Sequence, residues 1–303
     1  MNLIKTKELY RHACQDSNDL HIITEEERIE LQRHLVKIYK EIESVCVKHN
    51  LSVMLAYGSV LGAIRHGGFI PWDDDIDLFM PRKDYELFIH RYSVELPENL
   101  RVYAPNMNKK SISRFAKVVD VRTKFIEAEA DDLNDPSQGV FVDIFPLESM
   151  KITPIVNRIR KWMSLMLLYI GSSVRQYELN YKSYKKLMAS SKPARINYWL
   201  REIFGFCFSF WNYCKWYNII DRFCRNDEAT GYVADLIGVY KWQPIPSEVF
   251  LPPKKGTFEH ISVYLPNDPV RHLELTYANW QDLPPEDERY QHYIRYLKLN
   301  TNS

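Results

Sequence analysis

The chain has little of several features that would place it in a special class of protein. Only 10 of its 303 residues are glycine, and its five cysteines form no CxxC pair. The longest apolar runs, at 163–174 and 203–211, are shorter than the roughly 20 residues of a membrane-spanning helix. Residues 1–20 are too charged for a secretory signal peptide. We therefore expect a globular cytoplasmic protein with reduced thiols and no membrane span.

The net charge of +1 conceals two regions of opposite sign. Between Lys151 and Arg225 there are 14 Lys/Arg and 3 Asp/Glu, whereas the rest of the chain has 26 and 36. The basic region also holds four of the seven tryptophans. Cations interleaved with aromatic residues are typical of proteins that bind anionic membrane surfaces, so we expect peripheral contact with the inner face of the cell membrane. A helical bundle with an aromatic core and a basic solvent face is an equal alternative, and no nucleic-acid partner is expected.

The hydrophobic pattern divides the chain into three parts. Residues 1–150 have a capping box at Thr24–Glu27, a helix to about Lys48, and strand patterns at 51–57, 74–80, 100–105, 113–121, 123–130 and 139–147. Residues 151–230 have a helical pattern, and eight prolines between Pro244 and Pro285 break the last part, 231–303, into short elements. We predict an α+β fold with a mixed sheet, in which 1–150 is the catalytic core, 151–230 is a helical insertion and 231–303 packs back on the core.

Glycines and aspartates are concentrated in one stretch of the first part. Four of the ten glycines lie between Gly58 and Gly68, and four acidic residues occupy positions 73, 74, 75 and 77. In a strand, Asp75 and Asp77 share one face and lie roughly 6–7 Å apart. Two carboxylates at this spacing repel each other and favour a hard cation, here Mg²⁺ or Mn²⁺. A solvated acidic turn is the alternative interpretation of this cluster.

Two further features complete a predicted site for phosphates and metal. Asp143 lies inside the apolar strand pattern of 139–147, where a carboxylate is costly unless it is paired or binds a metal. Gly58-Ser59 follows a strand and opens a helix, so its N–H groups and hydroxyl suit a phosphate. We predict Asp75, Asp77 and Asp143 as catalytic metal ligands and Gly58-Ser59 as the phosphate-binding turn.

These motifs resemble those of the LicD-type phosphocholine transferases, which are related to fukutin. The resemblance rests on "YGSVLGAIRHGGFIPWDDDIDLFMPR" and "GVFVDIFPLE", and it resumes at "YANWQDLPPEDERYQHY". It implies a nucleotidyltransferase fold with a DNA polymerase beta-like palm. It also implies transfer of a phospho-alcohol from a CDP-activated donor to a hydroxyl of a glycan acceptor, possibly lipid-linked, with release of CMP.

Other residues are weaker site candidates. Arg65, Lys117 and Arg122 are predicted to bind the donor phosphates, and Trp72 is predicted to line a base or choline pocket by cation–π contact. His66 and Glu259 are candidates for the general base. Solvent exposure or plain packing is the competing interpretation of each.

Two other functions share these motifs. An NTP-using nucleotidyltransferase would use the same turn and carboxylates but release pyrophosphate. A non-catalytic membrane- or glycan-binding scaffold would need none of the carboxylates.

Overall fold

The computed structural model describes residues 3–107, 113–151, 153–226, 228–237, 244–286, 289 and 291–299. It confirms the α+β class and the mixed sheet. Helix α1 (Leu3–Gln15) precedes α2 (Glu25–Lys48), which begins at the predicted capping box: Thr24 Oγ1 accepts from Glu27 N–H, and the Glu27 carboxylate accepts from Thr24 N–H. Leu31, Leu35, Ile38 and Ile42 lie on the buried face of α2, which packs under the sheet.

The central sheet is built from strands of the first part. Its bounds are β1 (Met54–Leu55), β2 (Asp77–Pro81), β3 (Leu100–Tyr103), β4 (Ala116–Asp120) and β6 (Val140–Ser149), with α3 (Tyr57–Arg65) after β1 and α4 (Arg82–Leu87) after β2. The strand order is β1-β2-β6-β4-β3. Strands β2 and β6 are parallel, and the other neighbours on this path are antiparallel.

The strand that carries the paired aspartates is shorter than predicted. It begins at Asp77, so Asp75 precedes the strand and does not share a strand face with Asp77. The chain turns just before, where Asp73 N–H donates to the Ile70 carbonyl (2.8 Å), and ladder bonding starts where Asp143 N–H donates to the Ile76 carbonyl (3.1 Å). The two carboxylates are therefore positioned by different local structures.

Side chains alternate between two cores across this sheet. Leu78, Met80, Val142 and Ile144 face the core shared with α2. Phe79, Phe145 and Leu147 face a second core, which α5 (Pro154–Leu179) and α8 (Tyr213–Cys224) cover. Asp77 and Asp143 precede Phe79 and Phe145 by two residues, so they lie on the second face.

The middle of the chain is helical, as predicted. Besides α5 and α8 it contains α6 (Lys182–Met188) and α7 (Lys192–Phe208). Helices α5 and α7 pack closely at Gly205, where a Cβ atom would overlap the Ser173 carbonyl of α5. In the described part of the chain, no helix combines the length and hydropathy needed to cross a bilayer.

The last part returns to the core through several short elements: β7 (Tyr232–Ala234), β8 (Ile245–Pro246), β9 (Lys254–Phe258), β10 (Ile261–Leu265), α9 (Pro269–Thr276) and β11 (Ile294–Lys298). Strand β7 extends the sheet from β6, and β11 pairs antiparallel with β5 (Lys124–Glu127). The boundaries drawn at 150 and 230 remain a prediction.

All five cysteines are free thiols. Cys14, Cys46, Cys214 and Cys224 are buried, and Cys207 on α7 is exposed.

Candidate active site

Three neighbouring strands place charged side chains in one row. Asp77 of β2 lies opposite Asp143 of β6, and Asp143 lies opposite Lys117 of β4. Adjacent strands are about 4.8 Å apart, so the three side chains project side by side from the same face. Lys117 Nζ is 3.6 Å from Asp143 Oδ1 and 3.4 Å from the centre of the Phe141 ring. The row therefore consists of two carboxylates followed by one ammonium group.

The start of helix α3 adjoins this row. Ser59 is buried, and its Oγ accepts a hydrogen bond from Asp77 N–H (3.0 Å). At Gly58 an added Cβ would lie 3.3 Å from Asp73 Oδ2, so the absence of a side chain lets the backbone approach the acids. Helix α3 begins at Tyr57, so Gly58-Ser59 lies in the first turn of the helix and not in a turn before it. The Ser59 N–H donates to the Ala56 carbonyl (3.0 Å), and the positive end of the helix dipole lies beside the acids.

Crowding and burial raise the pKa values of several acids here. Burial raises the pKa of Asp77 well above its usual range, and the charges of Asp75, Asp143 and Asp73 raise it further. Burial likewise raises the pKa of Asp143 to about 6, although Lys117 opposes this shift. Asp143 Oδ1 is buried and has no hydrogen-bond partner among the described residues. Carboxylates crowded in this way, one with an unsatisfied oxygen, fit a bound hard cation.

Sequence reasoning missed His292 and the role of Asp74. Buried Asp74 accepts hydrogen bonds from the His292 backbone N–H (3.0 Å) and ring Nδ1 (2.9 Å), and Asp75 Oδ2 is 3.8 Å from the same nitrogen. Burial would lower the pKa of His292, but Asp74 and Asp75 raise it to about 10. His292 is thus an imidazolium counter-ion that ties the chain's last part to the acids.

Potential metal-ligand atoms also lie close together here, but the His292 ring must lose its proton before it can bind a cation. Among the residues that the structure describes, one set of three potential ligands has its atoms within 4.8 Å of one another: Asp74, Asp75 and His292. Asp77 and Asp143 lie outside that set, so the predicted trio does not form one compact group. Asp75 belongs to both sets, since it lies 3.8 Å from His292 and its charge raises the pKa values of Asp77 and Asp143.

Glu127 is another acid that the sequence did not single out. It ends β5, where it pairs with Ile294 of β11, two residues after His292. Burial would raise the pKa of Glu127, but Lys117, His292 and Arg175 together lower it. Its sequence context, an alternating strand "TKFIEAEA", indicates a strand but not this charged environment.

Arg65 and His66, two predicted site residues at the end of α3, have partners within the protein. Arg65 Nη1 donates to the carbonyls of Trp280 (2.8 Å) and Asp282 (2.9 Å), and its Nε donates to His66 Nε2 (2.9 Å). Burial and the charge of Arg65 lower the pKa of His66. Arg65 therefore anchors the C-terminal segment beside α3.

Glu259 contacts the turn at Gly67-Gly68, which follows α3. Its Oε1 accepts from Phe69 N–H (3.0 Å), its backbone N–H donates to the Gly67 carbonyl (2.8 Å), and a Cβ at Gly68 would overlap its carboxylate. This engagement gives Glu259 a structural task at the turn.

Trp72 and Arg122 are also engaged with protein groups. The Arg289 guanidinium lies 4.7 Å from the centre of the Trp72 ring, so a protein cation already contacts this ring. Arg122 pairs with Asp120 (3.0 Å), which also binds buried His34 (3.0 Å). Asp120 lies three residues beyond Lys117, or about 10 Å along β4. Lys117, within β4, is therefore the predicted phosphate-binding residue that lies beside the carboxylates, whereas Arg122 lies beyond the end of β4.

Comparison with known proteins identifies relatives of the chain. Residues 50–164 match the LicD/FKTN/FKRP nucleotidyltransferase domain. The lipopolysaccharide cholinephosphotransferase LicD of Haemophilus influenzae is 26% identical over 278 residues, which cover 88% of this chain and 96% of that protein. Uncharacterised proteins of Rickettsia prowazekii and Rickettsia typhi are each 36% identical over 50 residues, or 16% of this chain. The predicted resemblance is confirmed: residues 50–164 match the LicD/FKTN/FKRP nucleotidyltransferase domain, and most of the chain is similar to a LicD cholinephosphotransferase.

Proposed function

We propose that this protein is a LicD-type transferase that moves phosphocholine from a CDP-activated donor to a hydroxyl of a cell-surface glycan, releasing CMP. The similarity to a lipopolysaccharide cholinephosphotransferase along most of both chains supports this assignment. The observation that carries it is the row of Asp77, Asp143 and Lys117 beside the start of α3. The same arrangement supports a palm of the DNA polymerase beta type.

Mg²⁺, or Mn²⁺, is the proposed cofactor, with Asp75, Asp77 and Asp143 as its ligands. The unsatisfied Asp143 oxygen and the mutual repulsion that raises the pKa of Asp77 support this choice. Such an ion would neutralise phosphate charge and orient the diphosphate.

The chain's own groups have distinct tasks in this proposal. The first turn of α3, which contains Gly58-Ser59 and carries the positive end of the helix dipole, binds the donor phosphates. The Ser59 hydroxyl fixes the backbone of Asp77. Lys117 lies on the other side of Asp143 and offsets negative charge that builds on the transferred phosphoryl group. The acceptor hydroxyl oxygen bonds to phosphorus, the bond from phosphorus to the CMP oxygen breaks, and the hydroxyl proton leaves to a base.

The helical insertion supports the proposed contact with an anionic membrane. Along α5 an exposed stripe is spaced by four, three and four residues, and α7 adds large exposed side chains. This apolar face consists of Ile155, Ile159, Trp162 and Met166 of α5 and Ile196, Trp199, Ile203 and Phe206 of α7. Exposed Arg158, Lys161 and Arg195 lie among these residues along the same helices, which suits anionic headgroups. The face would bring the enzyme to a lipid-linked acceptor.

Calorimetric titration with CDP-choline, CDP-ribitol, CDP-glycerol and CTP, each with and without Mg²⁺, tests the function. We expect Mg²⁺-dependent binding of CDP-choline that Asp77→Asn abolishes and that the control Asp16→Asn, an exposed residue beyond α1, preserves. Product analysis must then show CMP. Binding of CTP alone, with pyrophosphate as product, would instead identify a nucleotidyltransferase, and binding of none would favour the scaffold.

A further inference from the structure

A cavity of about 340 Å³ opens beside Lys117, between the sheet and the helical insertion. Lys117 and Glu127 line it from the strands, Arg175 lines it from α5 and Arg201 lines it from α7, together with five tyrosines. Its volume is in the range of small-molecule sites. Since Lys117 also contacts Asp143, the cavity adjoins the acid row on the side away from α3.

Two of the four cations of the cavity wall already have a carboxylate nearby. Arg175 pairs with Glu129 (2.9 Å), and Lys117 lies 3.6 Å from Asp143. Arg201 differs, because it is only 7% exposed and makes no ion pair or hydrogen bond within the described residues. Its guanidinium lies 5.5 Å from the centre of the Tyr169 ring. A buried guanidinium without an anion is costly, so this site favours an anionic group from outside the chain.

The net positive charge of the cavity wall disfavours a cationic ligand. Four cationic side chains face the cavity against two carboxylates: Lys117, Arg114, Arg175 and Arg201 against Glu127 and Glu129. A quaternary ammonium would have the tyrosine rings as partners but would meet this positive excess. An anion bound by Arg201 removes the excess and gains charge-assisted hydrogen bonds.

The sheet order indicates which substrate enters here. The start of α3 lies at β2, and the cavity lies beyond β6 at β4, so the carboxylates separate the two places. Phosphoryl transfer requires the attacking and leaving oxygens roughly in line on opposite sides of phosphorus. With the donor diphosphate at α3, the attacking hydroxyl comes from the cavity side.

We propose that the cavity binds the acceptor, through an anionic group on its sugar, either phosphate or carboxylate, held by Arg201. This inference rests on the proposed function, because it assigns the acceptor side of the same reaction. The tyrosines supply rings and hydroxyls for the sugar itself.

The test is calorimetry of the full chain with glucose 6-phosphate, glucuronate, methyl glucoside and choline, without and with CMP plus Mg²⁺ to occupy the donor side. We expect at least one anionic sugar to bind tenfold or more tightly than methyl glucoside, and CMP to leave that binding intact. The better of the two sugars distinguishes phosphate from carboxylate. Arg201→Gln should weaken the binding of that sugar at least tenfold, and Arg201→Lys should restore part of the affinity. Lys192→Gln, an exposed change on the same helix, should have no effect.

A second variant keeps the test valid if Arg201→Gln does not fold. Ser172→Phe fills the cavity from α5 without removing a charge, and it should also abolish sugar binding. CDP-choline binding should survive both variants. The inference is overturned if neither anionic sugar binds or if CMP displaces the bound sugar. It is also overturned if the variants abolish choline or CDP-choline binding instead of sugar binding. Failure of CDP-choline and CMP to bind the unaltered chain would refute the proposed function and leave the sugar titration to be judged separately.

Discussion

At the residue scale, Arg82 organises a buried charge network. It is 2% exposed, and its guanidinium bonds Glu148, Asp221 (2.9 Å) and Glu86 (2.8 Å). Burial raises the pKa of Glu148 to about 7 even though Arg82 opposes the shift, so this carboxylate depends on its partner. The network joins α4, β6 and α8, and therefore fixes the insertion to the sheet.

Arg82→Met should consequently destabilise the whole protein. The change leaves Glu148 and Asp221 buried without their cation, which costs about 3–5 kcal/mol of the free energy of unfolding. Urea denaturation followed by circular dichroism measures this cost. Arg271→Met, which breaks an exposed pair with Glu274 (3.0 Å), should change stability by less than about 1 kcal/mol. Equal effects of the two variants would contradict the assigned role.

His272 makes stability depend on pH. It is buried against Phe79 and Phe250, and burial lowers its pKa to about 4. Between about pH 6.5 and 4 the unfolded chain binds a proton that the folded chain excludes, so stability falls as the pH falls.

His272→Leu should flatten this dependence. From pH 7 to pH 5, His272 alone accounts for a loss of about 2 kcal/mol, which the variant should not show. Thermal unfolding at both pH values, with exposed His260→Leu as the control, measures the difference. Parallel pH profiles for unaltered protein and His272→Leu would rule out this contribution.

The sequence predicts residues of the candidate site only where a local pattern marks them. Asp143 was predictable because it interrupts an apolar strand, and Ser59 because it follows a strand and opens a helix. His292 was not, since its partner Asp74 is 218 residues away and no periodicity connects them. Basic residues are usually exposed, so the burial of Arg201 was not predictable from the sequence; it results from tertiary packing.

At the scale of elements, the apolar face of α5 and α7 departs most from an ordinary soluble surface. Trp162 is 66% and Ile203 is 60% exposed, and both helices bury their other sides. The sequence predicted these helices and left open whether their aromatic residues form a core or contact a membrane. The structure leaves the large side chains of this face exposed.

The double variant Trp162→Ser/Ile203→Ser should weaken membrane binding about tenfold. Sedimentation with vesicles of phosphatidylglycerol and phosphatidylcholine measures this, and vesicles of phosphatidylcholine alone should bind less because the basic residues lose their partners. Ile22→Ser/Val94→Ser, which changes two residues that are more exposed but lie outside α5 and α7, is the control. An unaltered protein that stays in the supernatant with both vesicle types would exclude the membrane contact.

The ends of strands were harder to predict from the sequence than the ends of helices. Helix α2 matched its predicted bounds because both the capping box and the period are local signals. Strand β2 did not, since the same alternating letters continue through Asp75 while the turn at Asp73 and the contact with His292 bend the chain. Which residues join a ladder depends on partner strands that the sequence alone does not reveal.

At the scale of the whole molecule, the candidate site is assembled from distant segments. Gly58, Asp77, Lys117, Asp143 and His292 come from five elements or loops, and β11 closes the arrangement by pairing with β5. A ligand that binds this site binds only the folded chain, so it must stabilise the fold.

CDP-choline with Mg²⁺ should therefore raise the melting temperature. At a concentration 100 times the dissociation constant, the expected stabilisation is about 2.7 kcal/mol. Differential scanning fluorimetry measures the shift, and Asp77→Asn should remove it. A shift of the same size in that variant would mean that the ligand binds elsewhere.

The distribution of thiols makes the protein a ready-made reporter. Four of the five sulfurs are shielded in the interior, whereas Cys207 is exposed on α7 next to Phe206 of the apolar face. A maleimide dye added to the native chain should attach at one place without any engineering. The emission of the attached dye would then show whether α7 stays in water or enters lipid when vesicles are added.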